Sequence, residues 1–257
     1  MTDALVLSGL AKRFGTKIAV DNLSLTVPRG VLFGLVGPNG AGKTTTLSMA
    51  TGLLRPDVGT ATVLGHDVWS DPPAAKARMG VMPDGMRLFD RLSGRELLRY
   101  VGLLRGMPPA EVDRRSVDLL AALGLAGDAD TVVADYSAGM TKKISLACAL
   151  LHAPGLLILD EPFEAVDPVS GEAIRDILRG YVRSGGTVVM SSHVMELVEQ
   201  LCDGVGVIAG GRVLAVGATA QVCAGLPLQQ RFLQLVGATA GPQGGGLEWL
   251  RSSSDSN

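Results

Sequence analysis

Gly37-Pro38-Asn39-Gly40-Ala41-Gly42-Lys43-Thr44 is the stretch on which the reading of this chain turns. It fits the pattern Gly-x4-Gly-Lys-[Ser/Thr], a loop whose glycines let successive backbone N–H groups curl around an anion. Its flanks give the pattern a mechanical meaning. The apolar run Leu32-Phe33-Gly34-Leu35-Val36 enters it as a strand, and residues from Lys43 to about Ala50 leave it as a helix whose N-terminus adds partial positive charge. In that setting Gly37 through Thr45 form a nucleotide-phosphate cradle, Lys43 reaches the β- and γ-phosphates, and the Thr44 hydroxyl ligates Mg²⁺.

A second element lies downstream. Leu156-Leu157-Ile158-Leu159-Asp160-Glu161 reads as a buried strand delivering two carboxylates to the C-terminal edge of a sheet, where α/β proteins place their ligands. Asp160 is suited to hold Mg²⁺, directly or through water. Glu161 is suited to polarise an attacking water as a general base, a contribution of roughly 10²–10⁴-fold in rate.

Composition bounds the class. With 257 residues, 47% of them hydrophobic, the chain can bury a sizeable core. A formal net charge of −2 argues against nucleic acid as a partner, since such binders normally carry a basic excess. The longest greasy stretch, Ile144 to Leu159, is interrupted by Ser145, His152, Pro154 and Gly155 and falls short of the ~20 residues of a membrane-crossing helix. The N-terminus lacks the basic start and apolar core of a signal peptide. Cys148, Cys202 and Cys223 show no Cys-x-x-Cys spacing and are read as small buried hydrophobes of a reducing cytoplasm.

Along the chain, Leu5–Leu10, Asn22–Val27 and Thr60–Leu64 look extended. Residues 71–134 look helical, with Ser93 and Glu96 spaced as a capping box and Val112, Val117, Leu119, Leu120 and Leu123 as one apolar face. From Tyr136 helices and strands alternate: 141–152, 156–159, 170–182, 187–190, 194–201 and 205–209, which implies a mostly parallel α/β sheet. A short C-terminal helix is expected over 226–238. The Gly-, Ser- and Gln-rich tail over 239–257 is expected to be disordered, with Trp249 as a docking residue at most.

With the loop and acidic strand in place, residues 4–225 resemble the ATP-binding-cassette ATPases. The resemblance implies a mostly parallel core sheet, an N-terminal antiparallel β-subdomain and an inserted α-helical subdomain over about 85–152. The family's signature peptide is most often Leu-Ser-Gly-Gly-Gln; here it is Tyr136-Ser137-Ala138-Gly139-Met140, which keeps Ser137 and Gly139. By the family's logic these two face the γ-phosphate held by a second cassette. Ala165-Val166-Asp167 matches the D-loop, Ser191-Ser192-His193 the switch histidine that contacts the γ-phosphate, and Phe14 the aromatic that stacks on adenine. His66 and His152 are read as structural.

Gly80-Val81-Met82-Pro83-Asp84 matches the Q-loop, with Asp84 where the family carries Gln or Glu. Asp84 keeps an oxygen ligand for a hard cation, but its shorter reach favours a water bridge to Mg²⁺. Met79, Met82 and Met86 fit either core filling or an adaptable partner surface. The segment that follows, with Leu88 and Phe89 as its apolar contacts, is where the resemblance places a separately encoded transmembrane subunit.

The implied protein is an ATP-hydrolysing transporter subunit that works as a head-to-tail pair of cassettes on the cytoplasmic face of the membrane. The Tyr-Ser-x-Gly-Met signature and single cassette resemble ABC-2-type exporters. An importer cassette, a soluble cassette ATPase acting on another assembly and a small-molecule kinase are the alternatives.

Overall fold

The computed structural model describes residues 3–85 and 87–237, so Met86 and the expected tail with Trp249 lie outside the described residues. The chain opens with β1 (Leu5–Phe14) and β2 (Lys17–Val27), an antiparallel hairpin several residues longer than the alternating pattern predicts. The expected strands stop at Leu10 and resume at Asn22. Phe14 nevertheless pairs with Lys17, across a turn in which Gly15 takes the left-handed φ of +58°. Then come β3 (Leu32–Val36), α1 (Lys43–Ala50), β4 (Val58–Val63), the short β5 (His66–Asp67), α2 (Pro72–Arg78) and β6 (Met79–Met82). The first antiparallel sheet runs β2-β1-β4-β5.

The helical stretch holds α3 (Gly94–Leu104) and α4 (Pro109–Ala122). The capping box is formed: Glu96 N–H donates to the Ser93 hydroxyl, and the Ser93 N–H donates to the Glu96 carboxylate. Pro109 opens α4 in the first turn, where its missing N–H costs nothing. On α4 the buried line is Val112, Ser116 and Leu120, with Leu123 just beyond. Val117, predicted on that face, is 54% exposed. It follows Ser116 by one residue, about 100° around the helix, and points past the packing seam with α3.

The alternating half comprises α5 (Ala138–Leu150), β7 (Leu156–Leu159), α6 (Pro168–Arg183), β8 (Thr187–Ser192), α7 (Met195–Leu201), β9 (Gly204–Ala209) and β10 (Arg212–Ala218). It closes with α8 (Thr219–Cys223) and α9 (Leu228–Leu235). The second sheet has the order β10-β9-β3-β8-β7-β6, parallel except for the β9–β10 pair.

This sheet is buried on both faces, so its central strands are continuously apolar and their side chains divide by the two-residue period. Leu32, Val36, Leu157 and Leu159 point into a cluster shared with α3 to α7. Phe33, Leu35, Leu156 and Ile158 point into a second cluster with the antiparallel sheet and α1. Met79 and Met82 sit in these two cores, one in each, which decides their role as filling rather than partner surface. Gly80 lets α5 lie directly on β6: a Cβ there would come within 2.1 Å of the Ala149 carbonyl.

All three cysteines are buried and unpaired, and burial pushes the Cys148 thiol up to about 12. Among the described residues no helix is long and apolar enough to cross a membrane.

His66 bonds Asp71 at 3.0 Å. His152 is wedged between Arg105 and the Met79 carbonyl, its Nε2 at 3.0 and 3.1 Å from them. Burial, reinforced by the Arg105 charge, lowers its pKa to about 4. In the unfolded chain it titrates near 6.5, so between these values the unfolded state binds the extra proton and acid drains stability. The fold should therefore weaken as pH falls from about 6.5 toward 4. Urea unfolding across that range should show a smaller decline for His152→Gln than for wild type; equal slopes would assign the acid sensitivity to other groups.

Candidate active site

Four adjacent parallel strands, β3, β8, β7 and β6, end along one sheet edge, and each delivers a predicted site segment there. β3 runs into the phosphate loop, β8 into His193, β7 into Asp160 and Glu161, and β6 into Asp84. The loop turns into α1 at Gly42, whose φ of +104° only glycine adopts readily, and a Cβ there would press within 2.5 Å of the Ala19 carbonyl. The Lys43 ammonium is folded back over the loop, donating to the carbonyls of Gly37 at 2.7 Å and Pro38 at 3.3 Å.

These elements wall a cleft of about 470 Å³. Phe14, Asn39 through Thr45, Asp84, Glu161 and His193 line it. Phe14, 50% exposed at the end of β1, presents its ring at the mouth, with the Lys12 ammonium 5.9 Å from the ring centre. Gly37 and Pro38 form the floor strand end rather than the lining and act through their carbonyls on Lys43. Asp160 lies buried behind the lining; its N–H donates to the Met82 carbonyl at 2.8 Å and its Oδ1 accepts from the Ser191 hydroxyl.

Glu161 is gripped from several directions. Its Oε2 is 3.1 Å from His193 Nδ1 and its Oε1 is 3.7 Å from the Lys43 ammonium. Its N–H donates to Ser191 Oγ at 2.9 Å and its carbonyl accepts from Lys142 at 3.0 Å. The backbone there has a φ of +48°, a left-handed conformation costly for a residue with a side chain and found where surrounding contacts enforce it.

Asp84 stands at the cleft edge with its Oδ1 3.4 Å from the Lys142 ammonium. Lys142 thus joins the Q-loop position, the acidic strand end and α5. Sequence reading missed it, as it missed Lys17, Ala19 and Glu164 of the lining and Ser191. A lysine two residues past the signature carries no distinctive pattern, and a serine inside a strand carries less.

The structure does not bring every predicted site residue into the one cleft. Ser137, Gly139 and Asp167 are outside its lining. Ser137 caps α5, accepting from the Met140 N–H at 3.2 Å, and Asp167 caps α6, accepting from the Ser170 N–H at 3.0 Å. Hydrogen bonds from Ser170 hold the Asp167 carboxyl below its usual range. Gly139 packs beside Asp167, with room for a Cβ 3.4 Å from its Oδ2. Asp167 also lines a neighbouring groove whose other wall is Glu161 and His193. Tyr136, the signature's first departure, is buried and donates its hydroxyl to the Asp128 carbonyl at 2.8 Å, so it anchors the turn before α5.

A phosphate loop, an acidic strand end and a histidine converging at the C-terminal edge of a parallel sheet, with a helical block inserted between them, define an ATP-binding-cassette ATPase. Comparison with known proteins agrees. A family model described as ABC transporter matches residues 20–164, and the chain belongs to that family. It is 40% identical over 221 residues to a daunorubicin/doxorubicin resistance ATP-binding protein of Streptomyces peucetius, covering 86% of this chain and 67% of the relative. It is 36% identical to a linearmycin resistance ATP-binding protein of Bacillus subtilis, covering 86% and 71%. It is 40% identical to a Nod factor export ATP-binding protein of Sinorhizobium fredii, covering 83% and 62%. A solved structure of an ATP-binding subunit of an ABC transporter superposes with a TM-score of 0.84 at 28% identity, covering 91% of this chain and 99% of that one.

Asp84→Gln should retain ATP hydrolysis within about threefold of wild type. A glutamine carbonyl can still accept from Lys142, and an exposed ion pair of this kind is worth only ~0–1 kcal/mol. Steady-state phosphate release measures it; a loss as deep as that of Lys43→Ala would make Asp84 indispensable instead.

Proposed function

We propose that this chain is the ATP-hydrolysing subunit of an exporter, energising a separately encoded transmembrane protein through ATP-driven pairing of two cassettes. The observation that carries the hydrolytic part is the grip on Glu161 by His193 and Lys43 at the cleft wall. The direction of transport rests on relatives named for drug resistance and for Nod factor export. Residues 4–225 form the cassette on this reading, with 85–152 as its helical subdomain.

Adenine stacks on Phe14, and the backbone from Gly37 to Thr45 with Lys43 binds the phosphates. Glu161 takes a proton from the attacking water, and His193 orients that water and the γ-phosphate. Preorganised N–H groups and the Lys43 ammonium stabilise charge developing on the transferred phosphoryl, a contribution of several kcal/mol at about 2.7–4 per donor. The donor set suits Mg²⁺: Thr44 offers a hydroxyl, and Asp160 and Asp84 offer carboxylates, all hard oxygens. Bound there with ATP, the ion would neutralise charge on the β- and γ-phosphates.

Ser137 and Gly139 stand at a helix N-terminus away from their own chain's cleft. That suits them to cap the γ-phosphate of a second cassette, whose own Ser137 peptide caps this one. ATP then adds contacts only the closed pair can make, and so favours closure. Asp167, beside Gly139 and across the groove from Glu161, carries contact between the two sites. The membrane partner docks on the face where Phe89, 57% exposed, meets the Tyr100 ring at 5.0 Å and an edge-on angle. Leu103 and Leu104 extend that apolar face along α3. Leu88 is only partly buried and packs inward, which makes it a support for Phe89 as much as a contact.

Glu161→Gln should bind ATP and pair without turnover; wild-type hydrolysis in that variant would rule Glu161 out as the base. Captured from detergent-solubilised membranes of the source cell with ATP and Mg²⁺, the same variant should retain a multi-span membrane protein. Phe89→Asp should abolish that capture. Recovery of only soluble proteins, ribosomes or nucleic acid would leave the ATPase standing and remove the transport assignment.

A further inference from the structure

Ser191 is fully buried, yet its hydroxyl bonds no part of its own strand. The helical hydroxyls of Thr51 and Ser145, by contrast, bond the carbonyls of their own helices four residues back. Ser191 instead spends its donor on the Asp160 carboxylate and accepts from the Glu161 N–H at 2.9 Å. A serine hydroxyl has one proton to give, and both ends of this one go to the acidic strand end.

Its place in the fold explains the reach. β8 lies between β3 and β7, with Leu35 opposite Ser191 on one side and Leu159 opposite Met190 on the other. The residue after Met190 therefore sits level with the carboxylates just beyond β7. Two residues on, His193 meets the Glu161 carboxylate. One strand end thus holds Glu161 at its backbone through Ser191 and at its side chain through His193.

We propose that Ser191 is a positioning residue for hydrolysis, which orients Asp160 toward the metal and fixes the left-handed backbone that aims Glu161. The inference rests on the proposed hydrolytic role of this cleft. With the hydroxyl removed, the Asp160 carboxylate loses its donor and the Glu161 N–H its acceptor, both in a buried setting where such losses are felt in full. Nucleotide contacts made by Phe14 and the phosphate loop are untouched.

In the full-length chain, Ser191→Ala should lower kcat about 10- to 100-fold while KM for ATP stays within about threefold. Ser191→Thr, which keeps the hydroxyl, should recover most of the loss. The electron paramagnetic resonance spectrum of Mn²⁺ bound with ATP should change in the alanine variant, reporting the reoriented Asp160 carboxylate, while its affinity stays within the same threefold. A kcat for Ser191→Ala within twofold of wild type, a loss carried wholly by KM, or equal kcat values for the alanine and threonine variants would overturn the proposal. If the alanine variant does not fold, Ser191→Cys, similar in shape and weak as donor and acceptor, must show the same kcat-selective loss, and a wild-type kcat there overturns it. Glu161→Gln assayed alongside separates the two readings. If that variant turns over normally, the hydrolytic reading fails; if it is inactive while Ser191→Ala is normal, only the role of Ser191 fails.

Discussion

The cleft depends on one backbone position. Glu161 adopts a left-handed conformation that an isolated strand end would not favour, and it is held there by bonds from three different elements. Ser191 lies on β8 with His193 just beyond its end, Lys142 comes from α5, and Lys43 is the first residue of α1. Each contact is individually modest. Together they fix both the direction of the carboxylate and the spacing between the acidic strand end and the phosphate loop. That spacing in turn requires β3, β8 and β7 to be neighbours in register, so the parallel order of the central strands is a condition of the chemistry and not merely of the fold.

The same sheet separates two tasks by its faces. One face packs on the antiparallel sheet and α1, which hold the phosphate loop and Phe14 in place. The other packs on α3 to α7, the elements that carry the signature turn and the exposed Phe89–Tyr100 pair. Residues that would touch a second cassette or a membrane partner are therefore carried on a different layer from those that hold nucleotide. At the cleft Lys142 ties this helical layer to the sheet edge, reaching from α5 to Asp84 after β6 and to the Glu161 carbonyl after β7.

Much of this was legible in the residues. The phosphate loop, the strand ending in Asp160-Glu161 and the capping box at Ser93 each carry a local physical signature, and all three stand where that signature puts them. What stayed hidden was non-local. Val117 satisfied an apolar count but not the azimuth at which α4 meets α3, which only packing sets. The outer half of β1 carries Lys12 and Arg13 and its pairing with β2 is bulged, so alternation fails there although the hairpin continues to Phe14 and Lys17. Ser191 and Lys142 could not be singled out because a buried serine and a helix lysine acquire meaning only from the partners that the sheet order supplies.

Lys142 shows what that order makes possible. It lies five residues after Ser137 on the same helix, so the turn proposed to cap a second cassette's phosphate and the ammonium that holds Glu161 move as one rigid piece. Any rotation of the helical layer that carries Ser137 toward a partner must also change the reach of Lys142 to the Glu161 carbonyl and to Asp84, now 3.0 and 3.4 Å. A hydrogen bond weakens steeply over fractions of an ångström and with angle, so small rotations suffice to alter the hold on Glu161. Asp84 stands where the resemblance places glutamine or glutamate, and its shorter carboxylate pairs with this lysine at the cleft edge. On the proposed reading, pairing of two cassettes and alignment of the base are then one event, because the same helix carries both contacts.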